Sequence, residues 1–166
     1  MNVDDPQWYR RAIFYEVLVR GFNDSSGDGT GDLRGVTEKL DYLEWLGIDC
    51  LWLLPFYESP LADGGYDISD FFSVHPDYGT VGDAAELIDE AHRRGMRVIA
   101  DMVMNHTSDQ HPWFQESRQS RTNPRADWYV WNDDNDRWAE ARVIFVDTEP
   151  SNWSWDTQRE QYYWHR

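Results

Sequence analysis

The 166-residue sequence predicts an α/β fold whose N-terminal part is a parallel sheet. Two observations carry this. Strand-like segments begin near residues 13, 48 and 97 with helix-patterned segments between them, and parallel strands require such crossovers. Past Thr107 the pattern gives way to a polar, Trp-rich stretch, which predicts a small irregular domain inserted after the third strand. The expected division is therefore 1–106 and 107–166. A parallel sheet of this kind leaves two architectures, a doubly wound open sheet and an eight-stranded barrel. No Gly-x-Gly-x-x-Gly follows the first strand, so a dinucleotide fold has little support.

Taken in order, Ile13-Phe-Tyr-Glu-Val-Leu-Val19 is rich in β-branched and aromatic residues and predicts the first strand. Val36, Leu40, Leu43 and Gly47 share one helical stripe, predicting a helix from Val36 to Leu46 that Gly47 stops. Ile48 to Leu54, an apolar run before Pro55, predicts a second, buried strand. The next helix runs from about Asp83 to Arg94, with Ala84, Leu87, Ile88 and Ala91 as its apolar face and Gly95 closing it. Arg97 to Val103 is the third strand, and Arg142 to Val146 is the one strand candidate beyond it.

Composition narrows the partners. A net charge of −16 argues against a phosphate-backbone partner and suits a neutral substrate or bound cations. No run approaches the roughly 18 apolar residues that span a bilayer. The start, Met1-Asn-Val-Asp-Asp-Pro6, has neither the basic head nor the apolar core of a signal peptide, which predicts a cytoplasmic protein. Cys50 lies in an apolar run and reads as an inert core thiol. Aromatic residues reach 16%, with ten Trp. Aromatic faces match the C–H faces of pyranose rings, but packing a small domain calls for the same residues.

Three loops carry candidate chemistry. Asp24-Ser-Ser-Gly-Asp-Gly-Thr-Gly-Asp32 spaces oxygen donors like the start of a calcium loop: Asp24, Ser26, Asp28 and Asp32 through side chains, Thr30 through its carbonyl. Gly35 stands where an EF-hand needs Glu, so it is not an EF-hand. The second loop, Pro55 to Phe72, is long for a strand-to-helix connection. Gly64 and Gly65 in it would present Tyr66 and Asp67, an aromatic face beside a carboxylate able to take two sugar hydroxyls. The third is Asp101-Met-Val-Met-Asn-His106, where strand alternation points Asp101 inward and Asn105 and His106 emerge at the strand end. Buried polar residues there need partners.

Asp101 to His106, Gly47 to Pro55 and Gly65-Tyr66-Asp67 together resemble signature regions of the α-amylase family of glycoside hydrolases. Phe14 to Arg20, Pro55 to Pro60, Ile144 to Trp153 and Gln161 to His165 are similar to the branch of that family that interconverts maltose and trehalose. The resemblance covers essentially the whole chain. It implies a (β/α)8 TIM barrel and retaining chemistry by double displacement. It further implies that Asp67 and His106 bind the glucose in the subsite being cleaved, that Tyr66 stacks on it, and that Asp101 supports the site from beneath. Asn105 would be a calcium (Ca2+) ligand, and the Asp24–Asp32 loop a second calcium site, with Ser26 where Asn is usual.

A complete barrel takes about 250 residues, so an N-terminal portion of an enzyme is expected. Its nucleophile, acid/base and third carboxylate are expected on later strands; Glu116 and Asp147 fall in the expected insertion and do not replace them. The full-length protein is expected to be a homo-oligomer acting on maltose and trehalose. The alternatives are an α-glucosidase or oligo-1,6-glucosidase that releases glucose to water, and a non-catalytic barrel.

Overall fold

The computed structural model describes residues 5–144 and 146–165. The start of the N-terminal segment and Phe145 of the last strand candidate lie outside them. The chain forms two compact units, Met1–Ser108 and Asp109–Arg166.

In the first unit, β1 (Phe14–Val17), β2 (Cys50–Leu53) and β5 (Arg97–Ala100) form a parallel sheet in the order β1-β2-β5. Leu53 pairs with Val17 on one side and Ala100 on the other. The three strands therefore end level. Each is shorter than its apolar run. After Leu18 the backbone turns into a 3-10 helix, Val19–Gly21. The third strand stops at Ala100 rather than Val103, although Asp101 N–H still donates to Leu53 O at 2.8 Å. Asp49 ties the opposite end, its Oδ2 accepting from Ile13 N–H at 2.8 Å.

The helix expected at 36–46 is two helices, α1 (Leu33–Glu38) and α2 (Leu40–Leu46), broken at Lys39. The start moves back because Asp32 is an N-cap, accepting from Gly35 N–H at 2.6 Å. Gly47 ends α2 in the left-handed region at φ 85°. α3 (Val81–Arg93) begins two residues before its expected start, because Thr80 and Asp83 form a reciprocal capping box. Arg34 of α1 donates to the Asp83 carboxylate at 2.7 Å, joining the two helices. The core beneath them holds Val17, Val36, Leu40, Leu43, Leu51, Leu53, Leu87 and Ala91. Cys50 is fully buried, and burial pushes its thiol above the ordinary value.

The long loop after β2 is not structureless. β3 (Tyr57–Glu58) and β4 (Asp70–Val74) form an antiparallel ribbon inside it. The aromatic residues in this loop include strand residues Tyr57, Phe71 and Phe72, a pairing that the loop's glycines and prolines obscured.

The second unit holds a short helix, α4 (Pro112–Ser117), and an antiparallel sheet of β6 (Trp131–Asn132), β8 (Gln161–Trp164) and β7 (Trp153–Asp156). The strand expected at 142–146 does not form over its described residues. Aromatic rings take the place of an aliphatic core. Phe114, 5% exposed, lies against Tyr129, Trp131 and Tyr163 with centroids 5.1 to 5.5 Å away. Buried Arg159 donates to the carbonyls of Ser117, Ser120 and Ala126, and its guanidinium lies 4.4 Å from the Trp131 ring centroid. Among the described residues no helix is long and apolar enough to cross a membrane.

The bonds from Thr80 and Arg34 hold the Asp83 carboxyl down to about 2, from an ordinary 3.8. A depressed carboxyl contributes stability above its unfolded value and loses it as pH falls through the folded one. Asp83→Asn should lower Tm at pH 7, and the gap to wild type should close between about pH 4 and 2; thermal melts across that range check it.

Candidate functional site

Because β1, β2 and β5 end level, the loops that follow them leave the sheet at one end. Alternation persists beyond the third strand: Val103 is 8% exposed, whereas Met104 is 87% exposed. Asp101 and Val103 therefore stay on the inner side and Met104 points out. The Tyr66 hydroxyl donates to Asp101 Oδ2 at 3.0 Å. Burial, then this bond, pushes the Tyr66 phenol above its ordinary value. Tyr57 is also raised, by burial and by the nearby Asp101 charge.

The second and third loops are joined at two more points. His106 Nε2 lies 3.2 Å from the Tyr66 carbonyl. A carbonyl only accepts, so Nε2 carries the proton and Nδ1 is left to accept from Asn105 Nδ2 at 3.1 Å. Two residues on, Ser108 N–H donates to Ile68 O at 2.9 Å. Tyr66, Asp101, Asn105 and His106 are thus brought into one hydrogen-bonded chain. Asn105 commits its amide nitrogen to His106, leaving the amide oxygen as the atom a cation would need.

Asp67 has a different set of partners. Its Oδ1 accepts from the Ser59 hydroxyl at 2.8 Å and from Asp63 N–H at 3.1 Å, and its Oδ2 accepts from Ala62 N–H at 2.8 Å. These three donors, all within its own loop, hold the Asp67 carboxylate in place. Ser59, 4% exposed, carried no signal in the sequence beyond its place before Pro60.

Gly65 permits the turn that presents these residues. Its φ of 109° is strained for any other residue, and an added Cβ would lie 3.0 Å from the Pro55 carbonyl oxygen.

In the Asp24–Asp32 loop the three aspartates accept hydrogen bonds from the turn itself. Asp24 accepts from Gly29 and Gly27 N–H at 2.8 and 2.7 Å, bonds that hold its carboxyl below the ordinary value. Asp28 accepts from Thr30 N–H at 2.8 Å. Asp32 is buried with both oxygens accepting, from Gly35 and Ser25, and these donors outweigh burial to hold its carboxyl low. Among the described residues no group of three His, Cys, Asp or Glu side chains could hold a metal ion. Asp24 and Asp32 shape the turn and cap α1.

The model of the Alpha amylase, catalytic domain, family matches residues 16–166. The chain is 65% identical over 162 residues to the trehalose synthase/amylase TreS of Mycolicibacterium smegmatis, covering 98% of this chain and 27% of that protein. It is 61% identical over 163 residues to a trehalose synthase of Pimelobacter, with 98% and 28% covered. Among solved structures, the trehalulose synthase MutB of Pseudomonas mesoacidophila superposes with a TM-score of 0.88 at 48% identity, covering 95% of this chain and 28% of that one. The chain thus spans little more than a quarter of the length of these relatives.

Gly65→Ala should cost about 1–3 kcal/mol through the strained φ and the contact with Pro55. The measurement is denaturant unfolding of wild type and variant, and equal stability would show that the turn relaxes freely.

Proposed function

Since the chain belongs to the α-amylase family, we propose that it is the sugar-recognising N-terminal part of an enzyme that interconverts maltose and trehalose by intramolecular transglucosylation. The observation that carries this is the bonded set of Tyr66, Asp101, His106 and Asn105 at the ends of parallel strands. The trehalose synthase/amylase at 65% identity and the trehalose synthase at 61% support the isomerisation reading.

In this reading Asp67 accepts a hydroxyl proton of the glucosyl ring at the cleaved subsite, and the Tyr66 face packs against the ring. With Nε2 held by the Tyr66 carbonyl, His106 keeps a fixed ring plane beside the sugar. Asp101 fixes the Tyr66 ring by accepting its hydroxyl proton, and so supports the site from beneath. Glycosidic bond cleavage is assigned to a nucleophile and an acid/base outside these 166 residues, working by double displacement. Isomerisation then requires that the freed glucose re-attack before water enters.

Calcium at the Asp24–Asp32 loop is a separate proposal, resting on its oxygen-only donors Asp24, Ser26, Asp28 and the Thr30 carbonyl. It would need Asp32 to give up part of its cap. Asn105 would hold a second ion through its amide oxygen.

Incubating the full-length protein with maltose should yield trehalose as the main new sugar. Glucose as the only product would establish the α-glucosidase alternative, and no conversion the non-catalytic one. His106→Ala in that protein should lower kcat/KM for maltose by about 2–13-fold, the worth of the neutral bond that ties the Tyr66 carbonyl to the strand end. For calcium, EDTA should lower Tm, with recovery on adding Ca2+ and loss of the effect in Asp28→Ala; an indifferent Tm would leave the loop a hydrogen-bonded turn.

A further inference from the structure

We infer that Tyr42 and Trp45, on the outer side of α2, form a second, surface site that takes an α-1,4-linked glucan chain by ring stacking. That the chain is α-linked rests on the maltose reading above; the site itself rests on the two rings and their surroundings.

α2 has one buried and one bare side. Leu40 and Leu43 are fully buried, whereas Trp45 is 79% exposed, Tyr42 48% and Leu46 43%. The buried stripe seats the helix on the core and Gly47 ends it, so the bare side is held still. Tyr42 and Trp45 stand one turn apart, with ring centroids 6.0 Å from each other and planes tilted by 31°. One turn back from Trp45, Asp41 accepts from Arg94 Nε through Oδ1 at 2.8 Å. Its Oδ2 takes no donor among the described residues, and its side chain is 83% exposed. Two rings and an anchored carboxylate are thus presented together on one short, seated helix.

Barrel closure does not cover these rings. Phe14, Trp52 and Ile99 are also exposed, but they lie on the face of the sheet turned away from the helices, which the remaining strands of a (β/α)8 barrel enclose. Helices form the outer ring of such a barrel, so the bare side of α2 stays outside. The two rings expose about 300 Å², well short of the roughly 800 Å² per partner in a stable protein interface. Asp41 and Glu44 beside them, in a chain of net charge −16, also repel a second copy. A neutral sugar is indifferent to that charge, and its C–H face stacks on an aromatic face while a hydroxyl donates to Asp41. Successive rings of an α-1,4-linked chain turn relative to one another, as the two ring planes do, whereas a β-1,4-linked chain is flat.

The test is titration calorimetry of the full-length protein with maltoheptaose and with cellohexaose, alongside maltose kinetics. Wild type should bind maltoheptaose and not cellohexaose. Trp45→Ala and Tyr42→Ala should each weaken maltoheptaose binding about 2–13-fold, the worth of one ring contact, with kcat and KM for maltose unchanged. Trp45→Phe, which keeps a ring, should stay close to wild type. Equal binding by wild type and the Tyr42→Ala/Trp45→Ala double variant overturns the inference. So does a rise in KM for maltose that matches the lost affinity, because the rings would then belong to the reaction's own site. A fall in the oligomer mass of Trp45→Ala, read by light scattering, overturns it too, by making this face a contact between copies. Cellohexaose bound as tightly as maltoheptaose overturns the choice of an α-linked chain. If maltose is not converted while Trp45-dependent binding of maltoheptaose persists, the reaction reading fails and the surface site stands.

Discussion

Parallel pairing in one register is the constraint from which the site follows. Leu53 faces Val17 and Ala100 at once, so the chain leaves the sheet at the same level after each strand. Only then can the Tyr66 hydroxyl reach Asp101, 35 residues away in sequence, and the His106 ring reach the Tyr66 carbonyl. These bonds are local in space and distant in sequence. A slip of one residue in β5 would turn Asp101 outward and bring Met102 in its place. The apolar interior fixes the register, because Val17, Leu51 and Leu53 are all buried beneath the helices.

The sequence showed the apolar elements and the polar strand end, because periodicity is a property of neighbouring residues. Strands, helices and their order could be read from residues 13–103, as could the change of character after Thr107. What it could not show were features decided by one hydrogen bond between remote groups. Lys39 breaks a helix whose apolar stripe runs through it unbroken. The β3–β4 ribbon hid inside a stretch full of turn residues. Arg142 to Val146 has the composition of a strand, but composition says nothing about whether a partner strand is there to pair with. The strands that do form in the second unit, at 153–156 and 161–164, are so aromatic and polar that they did not stand out.

The Trp-rich segment shows how one composition can serve two ends. Tryptophan suits a sugar site and also a small core; here Trp131 and Trp153 serve the core, while Trp113, Trp128 and Trp155 are exposed. Trp131 packs on Phe114 and under Arg159, and Trp153 packs between Trp138 and Trp164. A unit of 58 residues has little room for aliphatic layers. Large flat rings bury more area per residue, and their edges meet neighbouring rings at favourable angles. Arg159 completes the arrangement by donating to the carbonyls of Ser117, Ser120 and Ala126, which also accept from the Asn123 and Ser117 side chains. Burial holds its guanidinium below its ordinary value, and the ring beneath it offsets part of the lost hydration.

Carboxylates were the residues whose roles the sequence blurred most, and the reason is physical. A loop carboxylate can meet a cation, a sugar hydroxyl or a backbone N–H, and all three look alike in one dimension. Asp32 and Asp67 both answer to backbone donors. Asp32 gives its two oxygens to a helix start and a turn, which satisfies groups that α1 would otherwise leave open. Asp67 does the same for residues 59–63. Pre-binding also has a use: a carboxylate already held by three donors loses little freedom when a fourth arrives, so the entropy of ordering it is met in folding rather than in binding. The loop that looks most flexible in sequence, with Gly64 and Gly65 at its tip, therefore holds its carboxylate fixed by three donors of its own.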